Sequence, residues 1–239
     1  MSKKSAETRA ERTAALIREQ QQQEYRRKLR LIAAIMLVLA VIAGVGIFFA
    51  MRADKTSTST VKASDYALTI GDANAPTKVV LYEDFLCPAC GYFESVTSEK
   101  LAAAADAGKV YVEYRAFYFL QDPAFEEYSR KATNAFRAVW EQVGPEAAKK
   151  FHDSLYADQV SESGPFPDND FFVEKAVAAG ATEATIRPAI ENLEYADWVD
   201  AATKDAAEIR STPTVYLNGK IVQSGSLDDT AKIVFDAIG

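Results

Sequence analysis

The stretch GDANAPTKVVLYEDFLCPACGYFE, residues 71–94, decides how this chain of 239 residues folds. It divides into a turn (GDANAP, 71–76), a strand (KVVLYEDF, 78–85) and the opening of a helix, with Cys87 and Cys90 at the junction. The unbroken apolar core KVVLY predicts a strand buried on both faces. Pro88 suits the first turn of a helix, where a backbone N–H has no intrahelical partner to lose. That helix is expected over about 88–107, closed by Gly108 after the Ala-rich LAAAAD.

Outward from this unit, YALTIG (66–71) is a short strand candidate and KVYVEYRAFYFL (109–120) a strand heavy in Val, Tyr and Phe. The periodicity then turns helical. Tyr128, Ala132, Ala135, Phe136, Val139 and Trp140 share one helix face, and further helices are expected near 145–157, 169–179, 183–191 and 194–208. Strand chemistry returns in PTVYLNGKIVQSG (213–225), where Asn218-Gly219 marks a hairpin turn. Leu227, Ala231, Val234, Phe235 and Ile238 define a last helix. The order β, β, α, β, helices, β-hairpin, α describes an α/β domain over 65–239 with a helical insertion at about 122–209.

The preceding residues have a different character. Residues 1–30 carry nine Lys/Arg and four Asp/Glu, a polar basic tail. LIAAIMLVLAVIAGVGIFFA (31–50) holds no charge and is long enough as a helix to span about 30 Å of hydrocarbon. Arg26, Arg27, Lys28 and Arg30 directly before it predict a cytoplasmic N-terminus, one transmembrane helix and everything after Met51 outside the cell membrane. A cleaved signal peptide is the alternative, but its apolar region is normally about 7–15 residues. Residues 51–64, rich in Ser and Thr, form a tether. Residues 51–239 carry 18 basic and 30 acidic groups, so a nucleic-acid partner is set aside, because that affinity comes largely from phosphate neutralisation.

Cys87 and Cys90 are the only cysteines. A closed zinc site needs four ligands, and two Cys plus the single His152 cannot supply them, so no metal is expected. Haem attachment needs His after the second Cys, where Gly91 stands. A disulfide closing so short a loop stabilises little. A redox dithiol remains, needing no cofactor. At the helix N-terminus Cys87 faces unpaired N–H groups and the positive end of the dipole, which favour its thiolate. Cys90, one turn inward, is expected to be the less exposed, resolving thiol.

With these features on view, the sequence resembles the DsbA-like branch of the thioredoxin superfamily, and in particular membrane-tethered members from actinobacterial envelopes. GDANAPTKVVLYEDFLCPACGYFE (71–94), the helical insertion and STPTVYLNGK (211–220) carry the resemblance, over about 65–238. It implies a thioredoxin fold with an inserted helical domain, Cys87 as nucleophile, Cys90 as its partner and a cis peptide bond at Thr212-Pro213 beside them. Thr212, Pro88 and Ala89 are the implied substrate contacts, with Thr212 offering backbone groups to an extended segment. The implied activity is thiol:disulfide exchange, introducing disulfides into exported cysteine-containing proteins, with reoxidation by a membrane partner of the DsbB or vitamin K epoxide reductase-like type. A reductase on the same fold, for cytochrome maturation or disulfide repair, and a non-enzymatic envelope binding module are the alternatives.

Two departures stand out. Ala89 replaces the prototype's His, which should leave Cys87 less acidic and its disulfide less oxidising. Leu81 occupies the position, six before the nucleophile, where many relatives carry a buried acid. Glu94 matches another buried acid of the prototype, and Glu113 is expected near it on the 109–120 strand; one of the two is the candidate proton relay to Cys90. The competing expectation is that Glu83, Asp84, Glu94 and Glu113 are solvated or salt-bridged. His152 is expected to pack or to lie at the surface, and Asp168-Asn169-Asp170 to cap a helix.

Overall fold

Strand β2 (Thr77–Glu83) forms the middle of a five-stranded sheet, as its apolar run requires. The computed structural model describes residues 64–121 and 123–239. The basic tail 1–30, the apolar run 31–50 and the tether up to residue 63 lie outside the described residues. Among the described residues, no helix is long and apolar enough to cross a membrane.

From β2 the chain enters α1 (Pro88–Asp106) and returns as β3 (Val110–Ala116), parallel to β2, with Leu81 opposite Tyr114. Gly108, at φ +69°, ends α1: Gly108 N–H donates to Ala105 O and Lys109 N–H to Ala104 O, satisfying carbonyls the helix leaves open. β1 (Leu68–Ile70) adds antiparallel to β3 at one edge. On the other side, β4 (Thr214–Leu217) runs antiparallel to β2 and is joined to β5 (Lys220–Ile221) by Asn218-Gly219, both at positive φ. The sheet order is β1–β3–β2–β4–β5, and α7 (Leu227–Ile238) follows.

Between β3 and β4 lie α2 (Pro123–Val143), α3 (Pro145–Ala157), α4 (Asn169–Ala178), α5 (Glu183–Glu191) and α6 (Ala196–Asp205). Asp168 caps α4 by accepting from Asp170 N–H. β3 ends four residues before its sequence suggests. After Ala116 the chain turns away, and Phe119 and Leu120 give their N–H groups to the Asp84 carboxylate rather than to a neighbouring strand.

The period of two sorts the side chains of β2 and β3 onto two faces. Val79, Leu81, Val112 and Tyr114 join the main core with Phe93 of α1, Phe136 of α2 and Phe151 of α3. Fully buried, each of these large side chains contributes about 1.5–3 kcal/mol. Val80 and Tyr82 face the other way, into a smaller cluster with Phe117, Ala206 and Ile209.

Candidate active site

Cys87 is the N-cap of α1 and Pro88 its first residue. The turn that presents the thiol is fixed from both sides. Asp84 accepts the N–H of Leu86 on its side chain and that of Cys87 on its carbonyl, and the same carboxylate takes the Ser129 hydroxyl of α2. Gln159, just after α3, donates its amide to Phe85 O at 3.0 Å and Cys87 O at 2.9 Å. A Cβ at Gly91 would come within 2.1 Å of the Gln159 Oε1, so the glycine is what lets Gln159 reach these carbonyls.

The two thiols, both free in this structure, have unlike surroundings. Cys87 is 7 % exposed, and its Sγ lies 3.4 Å from Thr212 O, on the cis Thr212-Pro213 bond. Its pKa falls to about 6, chiefly through the hydrogen bond from Cys90. Burial opposes this, while the Thr212 side chain and the N–H groups of Cys90 and Ala89 add to it. Cys90 is 1 % exposed, and burial raises its pKa well above the usual thiol value, with Cys87 and the charge of Glu83 pushing the same way. Pro88 is exposed, and Ala89, Thr212 and Pro213 are half-buried around Cys87.

Glu94, one turn beyond Cys90, is 3 % exposed, and neither of its oxygens has a hydrogen-bond partner. Burial first, then the charge of Glu83, raise its pKa to about 7. It lines a cleft of about 310 Å³ with Gly91 of α1 and Asp153 and Tyr156 of α3. Glu113 is placed elsewhere. The strand period turns it to the opposite face of β3 from Tyr114, where it pairs with Arg115, so the expectation that it lies beside Glu94 is corrected.

The acid that does share this core face is Glu83, two residues past Leu81 on β2. Its Oε1 lies 2.6 Å from Nε2 of His152, and both side chains are buried. His152 therefore packs in the core, but as one half of an acid–imidazole pair. A carboxyl in register with Val79 and Leu81 was the available signal for Glu83, since such a group is almost never buried without a partner. For Gln159 the sequence offered none. Glu94, His152 and Asp153 place ligand atoms within 4.8 Å of one another, as a metal centre would. However, both ring nitrogens of His152 are engaged, by Glu83 and Asp153, and Lys149 pairs with Asp153. The donor set fits an internal charge network.

Disulfide bond formation protein D of Bacillus subtilis is 27 % identical over 164 residues, covering 65 % of this chain and 69 % of that protein. Oxidised DsbA from Mycobacterium tuberculosis superposes with a TM-score of 0.61 at 29 % identity, covering 72 % of this chain and 93 % of that one. A reduced disulfide bond oxidoreductase (DsbG) from the same organism gives 0.62 at 29 %, covering 72 % and 88 %. With the fold and the dithiol, these likenesses define the class as a DsbA-like thiol:disulfide oxidoreductase. A family model described as Thioredoxin matches residues 63–236, and the chain belongs to that family.

Proposed function

We propose that this protein introduces disulfide bonds into exported proteins through Cys87 and Cys90, held outside the cell membrane by the apolar run 31–50. The observation that carries this reading is the asymmetry of the pair: an acidic thiol at a helix N-cap beside Thr212-Pro213, and a buried thiol one turn inward that keeps its proton. A stabilised Cys87 thiolate favours the reduced enzyme and so makes the disulfide form an oxidant.

In the proposed cycle a substrate thiolate attacks Cys87 Sγ of the oxidised pair. A substrate–Cys87 bond forms, the Cys87–Cys90 bond breaks, and the electron pair passes to Cys90, which takes a proton. A second substrate thiolate then attacks its own sulfur in the mixed disulfide and releases Cys87 as thiolate. Thr212 offers backbone groups to the extended substrate, with Pro213, Pro88 and Ala89 shaping the approach. Glu94, on the same helix as Cys90 and at the wall of the cleft, exchanges the proton. A membrane partner of the DsbB or vitamin K epoxide reductase-like type restores the disulfide.

Trapping tests the reading. Cys90→Ala in cells should accumulate mixed disulfides between Cys87 and exported proteins caught reduced. The reduction potential tests direction: a value nearer −120 mV supports oxidation, and one near −270 mV would transfer the site to a reductase.

A further inference from the structure

Beneath Cys90 lies a group of ionisable side chains that disulfide exchange as described does not use. His152, 0 % exposed, joins the insertion to the sheet through Glu83 Oε1 at 2.6 Å. Its Nδ1 lies 2.9 Å from Asp153 Oδ1, and Asp153 is paired to Lys149. The remaining titratable groups facing this imidazole are Glu94 from α1, Tyr114 from β3 and Tyr156 from its own helix, while the charge of Glu83 also bears on Cys90. The rings of Tyr114 and Tyr156 stand 4.8 and 5.0 Å from it. Apolar walls are supplied by Phe85 and Phe136.

Three of these side chains are buried with polar atoms that no protein group satisfies: both Glu94 oxygens and the hydroxyls of Tyr114 and Tyr156. Glu94 and Tyr156 line the cleft, which brings solvent to the edge of this group. The Glu83–His152 pair is closed by its own hydrogen bond, whereas Glu94 makes none. In a low-dielectric site a fixed charge pair controls the protonation of an open neighbour.

We propose that the Glu83–His152 pair sets when Cys90 gains and loses its proton, making His152 a positioning residue through which the helical insertion governs thiol exchange. Burial alone would lower the pKa of His152, but Glu83, followed by Asp153, outweighs it and holds the imidazole protonated to about pH 9. When Cys90 leaves as a thiolate, this cation offsets the Glu83 charge that would otherwise oppose the new anion, and Glu94 hands over the proton and recovers one through the cleft. When Cys90 attacks, the proton takes the reverse path. The proposal rests on the dithiol reading but not on its direction.

The test uses the full chain with glutathione joined to Cys87 as a mixed disulfide. Cys90 thiolate attacks Cys87 Sγ, the Cys87–Cys90 bond forms, and glutathione leaves as thiolate and is protonated by solvent. Its release is followed from pH 6 to 10. His152→Gln, which leaves Glu83 without its cation, should slow release about tenfold and move the midpoint up by about one pH unit. Glu83→Gln should move it down, and the double variant should return close to wild type. Shifts of the same sign, or none, overturn the proposal. Should the variants fail to fold, the wild type suffices. His152 is the only histidine, so its ring proton resonance can be titrated without ambiguity. It should remain protonated well past pH 6.5, with a midpoint that differs between oxidised and reduced protein. Titration near 6.5 in both states overturns the assignment. Failure of substrate trapping with these shifts intact would remove the exported-protein reading alone.

Discussion

The two faces of the central sheet both bury charge, with different outcomes. On the face turned from the dithiol, Arg115 donates to Glu113 and to the Tyr82 hydroxyl and stacks on the Tyr82 ring at 5.1 Å. On the face beneath α1, Glu83 and His152 are paired, yet Glu94 beside them has no hydrogen-bond donor. A satisfied buried network holds shape. A carboxyl left without donors close to a reactive thiol retains a proton near neutrality, and groups poised in this way cluster where chemistry is done.

The contrast can be broken first at the thiols. Cys87 should alkylate with a midpoint near pH 6 in the wild type. In Cys90→Ala it loses its main hydrogen bond and should titrate toward the free-thiol value of about 8.5, cutting the rate at pH 6.5 more than about tenfold. A midpoint that stays near 6 would assign the acidity to the helix N-terminus instead.

Glu94 gives the next largest effect. Its folded pKa is raised from 4.5 to about 7, so the folded protein binds more protons than the unfolded chain between those values, and stability falls as pH rises through the window. Below pH 4.5 both states are protonated and the effect vanishes. Glu94→Gln should therefore stabilise the protein by about 3 kcal/mol at pH 8 and hardly at all at pH 4, read from urea midpoints. A gain independent of pH would contradict the buried, donor-free carboxyl.

Gln159→Ala removes two hydrogen bonds to the Cys87 turn and should cost about 1–2 kcal/mol, measured by thermal unfolding. Smallest at the dithiol is the control on the other face. Glu113→Gln takes the carboxylate from a buried Arg115 and should cost about 3 kcal/mol of stability, yet leave the alkylation profile of Cys87 unmoved. A shifted profile would show that the two faces communicate.

What the sequence disclosed follows the range of the interactions involved. Pro88 at the head of α1, Gly108 at its end and the Asn218-Gly219 turn are local chemistry, and each stands where its residue type predicts. Cys87 at the N-cap belongs to the same order of reasoning. Phe119 and Leu120 look like strand residues, but β3 stops before them because their N–H groups are claimed by Asp84, some 35 positions earlier. The face that Glu113 takes depends on register, which composition does not supply: one residue along a strand exchanges faces. His152 meets Glu83 across 69 positions, a distance over which amphipathic periodicity reports burial but never the partner.

Gly91 and Gln159 have a consequence for how this chain can change. No side chain fits at 91 while Gln159 holds the carbonyls of Phe85 and Cys87. A change at 91 therefore requires a change 68 residues away at 159, whereas 159 can change alone for the loss of those two bonds. A variant with a bulkier residue after the second cysteine must also surrender the amide that steadies the first, so the motif extends in practice beyond its four letters into the helical insertion.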